Sequence, residues 1–384
     1  MMLAGWILTL LPVVTGFYTY VGYPALLWAM TRGRRAELPP PAEWPLVSIV
    51  VPAYNEERQI AGAIEALLAQ DYPSDRRQIL ILSDASSDGT DNIVRSYAER
   101  GVELLRMPVR GGKTAAENAS CALIRGDIVV NTDASIRLLP AAVRHLVSAM
   151  GDPLVGVASG RDVSVAPEGT RANAAEGGYV GYEMWVRSLE TRAGGIVGAS
   201  GSGYAIRRTL HEKPIPADLS RDFSAALTAK RHGFSAVSVD GALCLVPRTA
   251  SLQREYRRKV RTISRGMDTL RYQRDLLDLS RHPLFAWKLF SHKVCRWVLP
   301  GTVVAGMFGL ALLATAYAWA GVLLALGVLT GLTAGAGFLW PANRPLPRVL
   351  SVLSFGVAAN IAVLNAWWRV GRPHADHIWE PTRR

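Results

Sequence analysis

The sequence predicts an α/β domain built on a mostly parallel sheet and held between membrane-spanning helices at its two ends. Three observations predict it. Short β-branched runs alternate with helix-period stretches between residues 47 and 131, long uncharged apolar runs stand at both ends, and basic residues gather where those runs meet the remainder.

The apolar runs come first. Residues 1–30 contain no charged side chain, and neither do residues 297–343 or 349–368. A hydrocarbon core of about 30 Å takes about 20 residues of helix, so each run is long enough to cross. The first lacks a basic leading segment and an A-x-A exit, so a retained anchor is expected rather than a cleaved signal. The 47 residues of 297–343 suit two spans and 349–368 a third. Composition agrees: hydrophobic residues make up 49% and charged residues only 19%, against about 25% charged in soluble domains.

The net charge is +12, and its placement excludes nucleic acid as the expected partner. Arg32, Arg34 and Arg35 directly follow the first run, and a basic stretch over 254–296 directly precedes the second. Such clusters mark the cytoplasmic side of spans and attract anionic lipid headgroups. No recognition-helix, zinc-finger or RNP pattern is present. The expected organisation is an anchor over 1–31, a Pro-rich linker over 32–46, a catalytic domain over 47–250, amphipathic interfacial helices over 251–296, C-terminal spans over 297–369 and a basic tail over 370–384. Cys121, Cys244 and Cys295 are isolated, so neither a disulfide framework nor a zinc site is indicated. The seven histidines form no H-E-x-x-H pair, which leaves a carboxylate site as the remaining metal option.

Within the domain, residues 47–51 are a β-branched run stopped by Pro52, as a buried parallel strand should be. Residues 56–70 carry apolar side chains at Ile60, Ile64, Leu67 and Leu68, which is helical spacing. A strand over 78–82, helices over 91–100 and 114–124, and a strand over 127–131 follow. From 155 to 246 the pattern is less regular, with glycine-rich joints at 194–195 and 198–203. Residues 251–273 are strongly basic with Leu252, Tyr256, Val260, Ile263, Met267 and Leu270 interspersed, an amphipathic helix for the headgroup region.

Four polar clusters follow strand ends, where parallel sheets bind ligands. Pro52-Ala53-Tyr54-Asn55-Glu56 offers an aromatic ring and a carboxylate to a base, or simply a helix cap with Asn55 at its start. Asp84 and Asp88, in a run of Ser, Asp and Gly, suit a uracil edge and a ribose hydroxyl, or an ordinary turn. Gly111-Gly112-Lys113 suits a diphosphate without having P-loop spacing. Asp133, at a strand tip, suits a hard cation that also holds two phosphates, or caps the helix after Pro140.

Together the clusters resemble the family 2 glycosyltransferases. The matching residues are the strand and Y-N-E of 47–57, Asp84 to Thr90, Gly112-Lys113 with Asn118, Asp133, Gly201-Ser202-Gly203 and onward to Arg208, and Asp222. Ser291-His292-Lys293, Arg296-Trp297, Pro300 and Trp379-Glu380-Pro381 complete the set. The resemblance implies the GT-A fold and, more narrowly, a membrane-bound enzyme of polysaccharide or glycolipid assembly. It implies that Pro52, Ala53, Tyr54, Glu56 and Asp84 hold the nucleotide of a UDP-sugar, with Lys113 near it. It implies Mn²⁺ or Mg²⁺ on Asp133, Asp222 as the general base of an inverting transfer, and Gly201, Ser202, Gly203 and Arg221 toward acceptor or phosphate. Two departures matter. The family's D-x-D reads Asp133-Ala134-Ser135, and the Q-x-x-R-W of processive members reads Arg257-Arg258-Lys259-Val260-Arg261-Thr262. Arg258 and Arg261 suit donor phosphates or a lipid-linked pyrophosphate, or a headgroup-binding face.

The expectation is therefore transfer of one sugar to a lipid-linked or membrane-proximal acceptor, in the plasma or inner membrane with the domain in the cytosol. A polymer-extruding synthase and an inactive membrane scaffold are the alternatives. A transporter is disfavoured because the apolar runs carry no charge. Counting spans puts the C-terminus outside, whereas Arg369, Arg372, Arg383 and Arg384 favour the inside.

Overall fold

The computed structural model describes residues 1–33, 41, 43–165, 174–247, 252–340 and 347–372. Much of the expected linker, the end of the basic tail and the Trp379-Glu380-Pro381 motif lie outside the described residues.

One mixed sheet organises the domain. Its strands are β1 (Val47–Ala53), β2 (Arg77–Ser83), β3 (Val102–Arg106), β4 (Ile128–Thr132), β5 (Arg137–Leu138), β6 (Val155–Val165), β7 (Gly203–Arg207) and β8 (Ser235–Pro247). They lie in the order β3-β2-β1-β4-β7-β6-β8-β5. The pairs β1–β2, β1–β4, β2–β3 and β6–β8 are parallel, whereas β7 runs antiparallel to β4 and β6. That reversal brings the start of β7 to the same edge as the carboxyl ends of β1, β2, β4 and β6. Consecutive strands switch sides about β1, so the loops after β1 and β4 part there and leave a crevice, the usual ligand position in an open α/β sheet. β1 is buried at all seven positions, which explains its unbroken apolar character. Ile49, Val51, Ile81 and Val130 face one apolar layer, and Val50, Leu80, Leu82 and Val129 the other.

Three expected elements shift, one being the helix expected over 114–124, which is Lys113–Ser120. The helix after β1 is Ile60–Leu68, starting four residues later than residue 56, and the stretch 91–100 is a helix Thr90–Arg95 followed by a 3₁₀ turn Ala98–Arg100. After β1, residues 56–59 belong to a ligand-edge loop instead of a first helical turn, and in the stretch 91–100 the helix stops early, at Arg95.

Four helices among the described residues are long and apolar enough to cross a membrane: Met2–Thr31, Pro283–Ala314, Ala318–Phe338 and Leu350–Val370. The first two pack through glycines. A Cβ at Gly309 would meet the Thr9 nitrogen at 2.7 Å and one at Gly306 would meet Pro12 at 2.6 Å, the close approach that small residues permit between spans. Pro283–Ala314 starts well before residue 297, running through a π-helical turn Phe290–Val294, so Lys288, His292, Lys293 and Arg296 ride on the helix that becomes the span.

Three of these, Lys288, His292 and Arg296, fasten the apolar helices to the domain. His292 sits between Glu190 (Nδ1 to Oε1, 2.6 Å) and Glu183 (Nε2 to Oε1, 2.8 Å), both on the helix Ala174–Arg192. Tyr23 of the first span donates to Glu190 at 2.5 Å, and Lys288 donates to the carbonyls of Ala193 and Gly195. Fully buried ionic groups are tolerable because each is paired.

Candidate active site

The loop after β1 is not a helix cap. Asn55 takes a left-handed conformation (φ 54°), accepts the Ser87 N–H at 2.8 Å and donates its own N–H to Ser86. Glu56 N–H donates to Thr90 Oγ1 at 2.8 Å, and the Glu57 N–H donates to Asp88. The first two polar clusters are thus one interlocked surface. Asn55 and Ala85 (φ 56°) are the non-glycine residues with positive φ among the described residues, one in each loop, and such backbone persists where its surroundings over-determine it. Pro52 and Ala53 end β1, and the Tyr54 ring is stacked by Arg110 at 3.8 Å.

Asp84 is buried. Its two carboxylate oxygens accept the N–H groups of Gly111 (2.7 Å) and Gly112 (2.8 Å), so it braces the third loop, with one further lone pair left on each oxygen. Gly112 has φ +86°, a conformation that glycine adopts without strain, and this turn starts the helix Lys113–Ser120. Lys113 Nζ donates to Asp133 Oδ1 at 2.5 Å. Burial alone would lower this ammonium, but Asp133, Glu117 and Asp222 outweigh it and hold it above the ordinary lysine value. Glu117, one turn on, is wholly buried with both carboxylate oxygens unpartnered, and burial pushes it up against the pull of Lys113 and Arg221. Asp133 caps no helix, since the helix after Pro140 begins at Ala142 behind Ala141.

Asp222 enters from the other half of the sheet. It lies in the first turn of the helix Arg221–Arg231, where Ser220 Oγ and the Phe223 N–H donate to its Oδ1. Oδ2 faces Gly201 so closely that a Cβ there would be 2.5 Å from it. Ser202 carbonyl accepts from Thr132 Oγ1 at 2.7 Å, joining the Gly201-Ser202-Gly203 turn to the end of β4. Arg221 borders the same space, but its Nη1 and Nη2 donate to Asn118 and to the His211 carbonyl. These bonds make it a brace for the helix start more than a contact for acceptor or phosphate.

The interfacial helix Leu252–Tyr272 closes the site. Thr269 Oγ1 accepts the Ser220 N–H at 2.9 Å, and Arg265 donates to the carbonyls of Ala217, Asp218 and Leu219. The helix Leu252–Tyr272 therefore sets the position of the Asp222 turn. Arg258 is paired with Glu255 on its own helix (Nη2 to Oε1, 2.7 Å).

What results is a cavity of 290 Å³ bordered by Glu56, Lys113, Asp133, Gly201, Ser202, Arg221, Asp222, Arg258 and Arg261. Of the expected donor-binding residues, Pro52, Ala53, Tyr54 and Asp84 do not line it. Sequence reasoning missed Asp162 and Arg265, which also border it. Asp162 accepts from Ser200 Oγ at 2.8 Å and burial raises its carboxyl. It was hidden because β6, with two glycines and an arginine, does not read as a strand.

The donor set suits a hard divalent cation in one specific way. Among the described residues no group of three metal-ligating side chains occurs. Asp133 is nevertheless a cavity-facing carboxylate beside Ser135, already holding a cationic group. A cation that keeps waters and takes donor phosphate oxygens needs no more than one or two protein carboxylates.

Comparison with known proteins bears on the fold. The glycosyl transferase family 2 model matches residues 48–213, from β1 through the turn into β7 and the short helix after it. Over these residues the domain is similar to the family 2 glycosyltransferases. The chain is 30% identical over 224 residues to a β-monoglucosyldiacylglycerol synthase of Trichormus variabilis, covering 55% of this chain and 47% of that protein. The chain thus spans about half the length of that relative. An N-acetylglucosaminyltransferase of Rhizobium sp. (strain N33) is 26% identical over 327 residues, covering 76% of this chain and 71% of its own. In structure, a mannosyltransferase of Pyrobaculum calidifontis in complex with GDP-Man and Mn²⁺ superposes with a TM-score of 0.71 at 21% identity, covering 94% of this chain and 98% of that one. The GT-A fold is common to both.

Proposed function

We propose that the chain transfers a single sugar from a nucleotide-sugar, a UDP-sugar by preference, to a lipid-linked or membrane-proximal glycan acceptor at the cytosolic face of a membrane. The observation that carries the reading is one cavity edged by Lys113, Asp133 and Asp222, from three separate loops, and closed by the amphipathic helix.

In this reading the donor base lies toward Tyr54, Glu56 and the Asp84-braced loop. The diphosphate lies between Lys113 and the side of the cavity carrying Arg258 and Arg261. Asp133 would hold Mn²⁺ or Mg²⁺, which supplies Lewis-acid stabilisation of the departing diphosphate. The acceptor hydroxyl oxygen attacks the anomeric carbon while Asp222 takes its proton, the bond from that carbon to the diphosphate oxygen breaks, and nucleoside diphosphate leaves with its electron pair. Oδ1 of Asp222 already accepts from Ser220 and Phe223, so Oδ2 is the oxygen suited to the proton. Attack opposite the leaving group inverts the anomeric centre.

The name of the Trichormus relative points to a lipid acceptor, and the GDP-Man bound by the Pyrobaculum mannosyltransferase puts GDP-sugars in the test. The test is a screen of UDP- and GDP-sugars against the full-length protein with Mn²⁺ or Mg²⁺, reading nucleoside diphosphate release and the glycan formed. One donor is expected to sustain release, with one sugar added per acceptor. Polymer would favour the processive alternative, and silence with every donor would favour the inactive scaffold.

A further inference from the structure

A second cavity, of 440 Å³, meets the first at Ser220, Asp222 and Thr262, and runs from there between the interfacial helix and the spans Pro283–Ala314 and Leu350–Val370. Its far wall is apolar, made by Leu299, Phe355 and Val363, while Gly356 and Asn360 on its border are exposed on the outer face of the last span. A chain-bearing molecule can therefore reach Asp222 sideways from the hydrocarbon region.

The polar end of this cavity has cationic donors without acceptors. Glu183 is the acid there besides Asp222, and it is already bonded by His292 Nε2 and Arg296 Nη1. Arg296 keeps Nε and Nη2 buried with no hydrogen-bond partner. Lys293 has no ion pair or hydrogen bond among the described residues, and its ammonium lies 5.6 Å from the ring of Phe223, the residue after Asp222. Buried N–H donors at membrane depth are costly unless something accepts from them. Guanidinium and ammonium groups that border one space match phosphate oxygens.

We propose that this cavity is the acceptor seat, and that its occupant is a lipid carrying a phosphate between its apolar chain and the reacting hydroxyl, with the phosphate on Lys293 and Arg296. The proposal rests on the transferase reading for the role of Asp222, but the binding it asserts is measurable without turnover. A neutral lipid would leave these donors unmatched, so the seat excludes a simple diacylglycerol.

The test uses the full chain in micelles of a phosphate-free maltoside detergent, titrated with a fluorescent dioleoyl phosphatidic acid and, separately, the matching dioleoylglycerol. Wild type is expected to bind the phosphate-bearing probe well above the neutral one. Lys293→Ala is expected to lose about 10- to 100-fold of that affinity, with Lys293→Arg restoring most of it. Millimolar inorganic phosphate is expected not to displace the probe. Equal binding of the two lipids, unchanged affinity in Lys293→Ala, or full displacement by inorganic phosphate would each overturn the proposal. Thermal melting of each variant checks the fold. Should the probe bind as expected while no nucleotide-sugar is ever turned over, the transferase reading fails and the lipid seat stands.

Discussion

Gly201 and Asp222 meet so closely that a methyl group on the glycine would lie 2.5 Å from Oδ2. Nothing else yields as readily as the carboxylate, which is the free end of a short side chain. Gly201→Ala should therefore leave the melting temperature close to wild type, while turning Asp222 away from its position. Misplacement by about an ångström costs about 100-fold in rate, and donor affinity should hold. Kinetics with a fixed donor and a donor titration check this. A large drop in stability would show that the turn, and not the carboxylate, gives way. The same scale explains why Asp84 could be singled out in the sequence without its work being known. A carboxylate after a strand is visible, but its bonds to Gly111 and Gly112 depend on a loop 27 residues away.

At the scale of elements, the helix Ala174–Arg192 couples the domain to the membrane helices through Glu183, Glu190 and His292. Burial raises both carboxyls, yet the neighbouring groups together outweigh it, His292 foremost, with Arg296 at Glu183 and Tyr23 and Lys288 at Glu190. Glu190 lies below, and Glu183 well below, the ordinary value of 4.5. A folded-state carboxyl held below its unfolded value contributes stability that is complete above that unfolded value and is lost as pH falls through the folded one. The melting temperature should thus be flat with respect to these two groups above about pH 4.5 and fall below it. Glu183→Gln should be less stable at neutral pH and show a shallower acid decline. A decline in wild type that begins between pH 7 and 5 would assign acid lability to other groups.

This helix also marks what the sequence concealed. The strands β1, β2 and β4 were legible because each is a short β-branched run ending in a polar loop, and the interfacial helix because its basic and apolar residues alternate at helical spacing. The helix Ala174–Arg192 carries Gly177, Gly178 and Gly181, which blur its periodicity. β6 and β8 exceed the usual strand length and bend at irregular registers, so no local pattern announces them. The second half of the site, Asp162 and Arg265 included, depends on these pairings. Asp222 was reached only through resemblance to a family, since its neighbours alone suit a helix cap.

For the whole molecule, the arrangement sets the reacting edge of the sheet against the amphipathic helix, with two cavities meeting at Asp222. A soluble donor enters from the domain side in this reading, and an acceptor from the bilayer side. The division assigns separate work to Asp133 and Asp222, so their loss must have different signatures. The most direct measurement is nucleoside diphosphate release together with donor affinity for wild type, Asp133→Asn and Asp222→Asn. Release should require Mn²⁺ or Mg²⁺ in wild type. Asp133→Asn should weaken metal-dependent donor binding, whereas Asp222→Asn should bind donor normally and lose about 10²- to 10⁴-fold in turnover. Wild-type activity in both variants, or loss of donor binding in Asp222→Asn alone, would contradict a single site assembled from these loops.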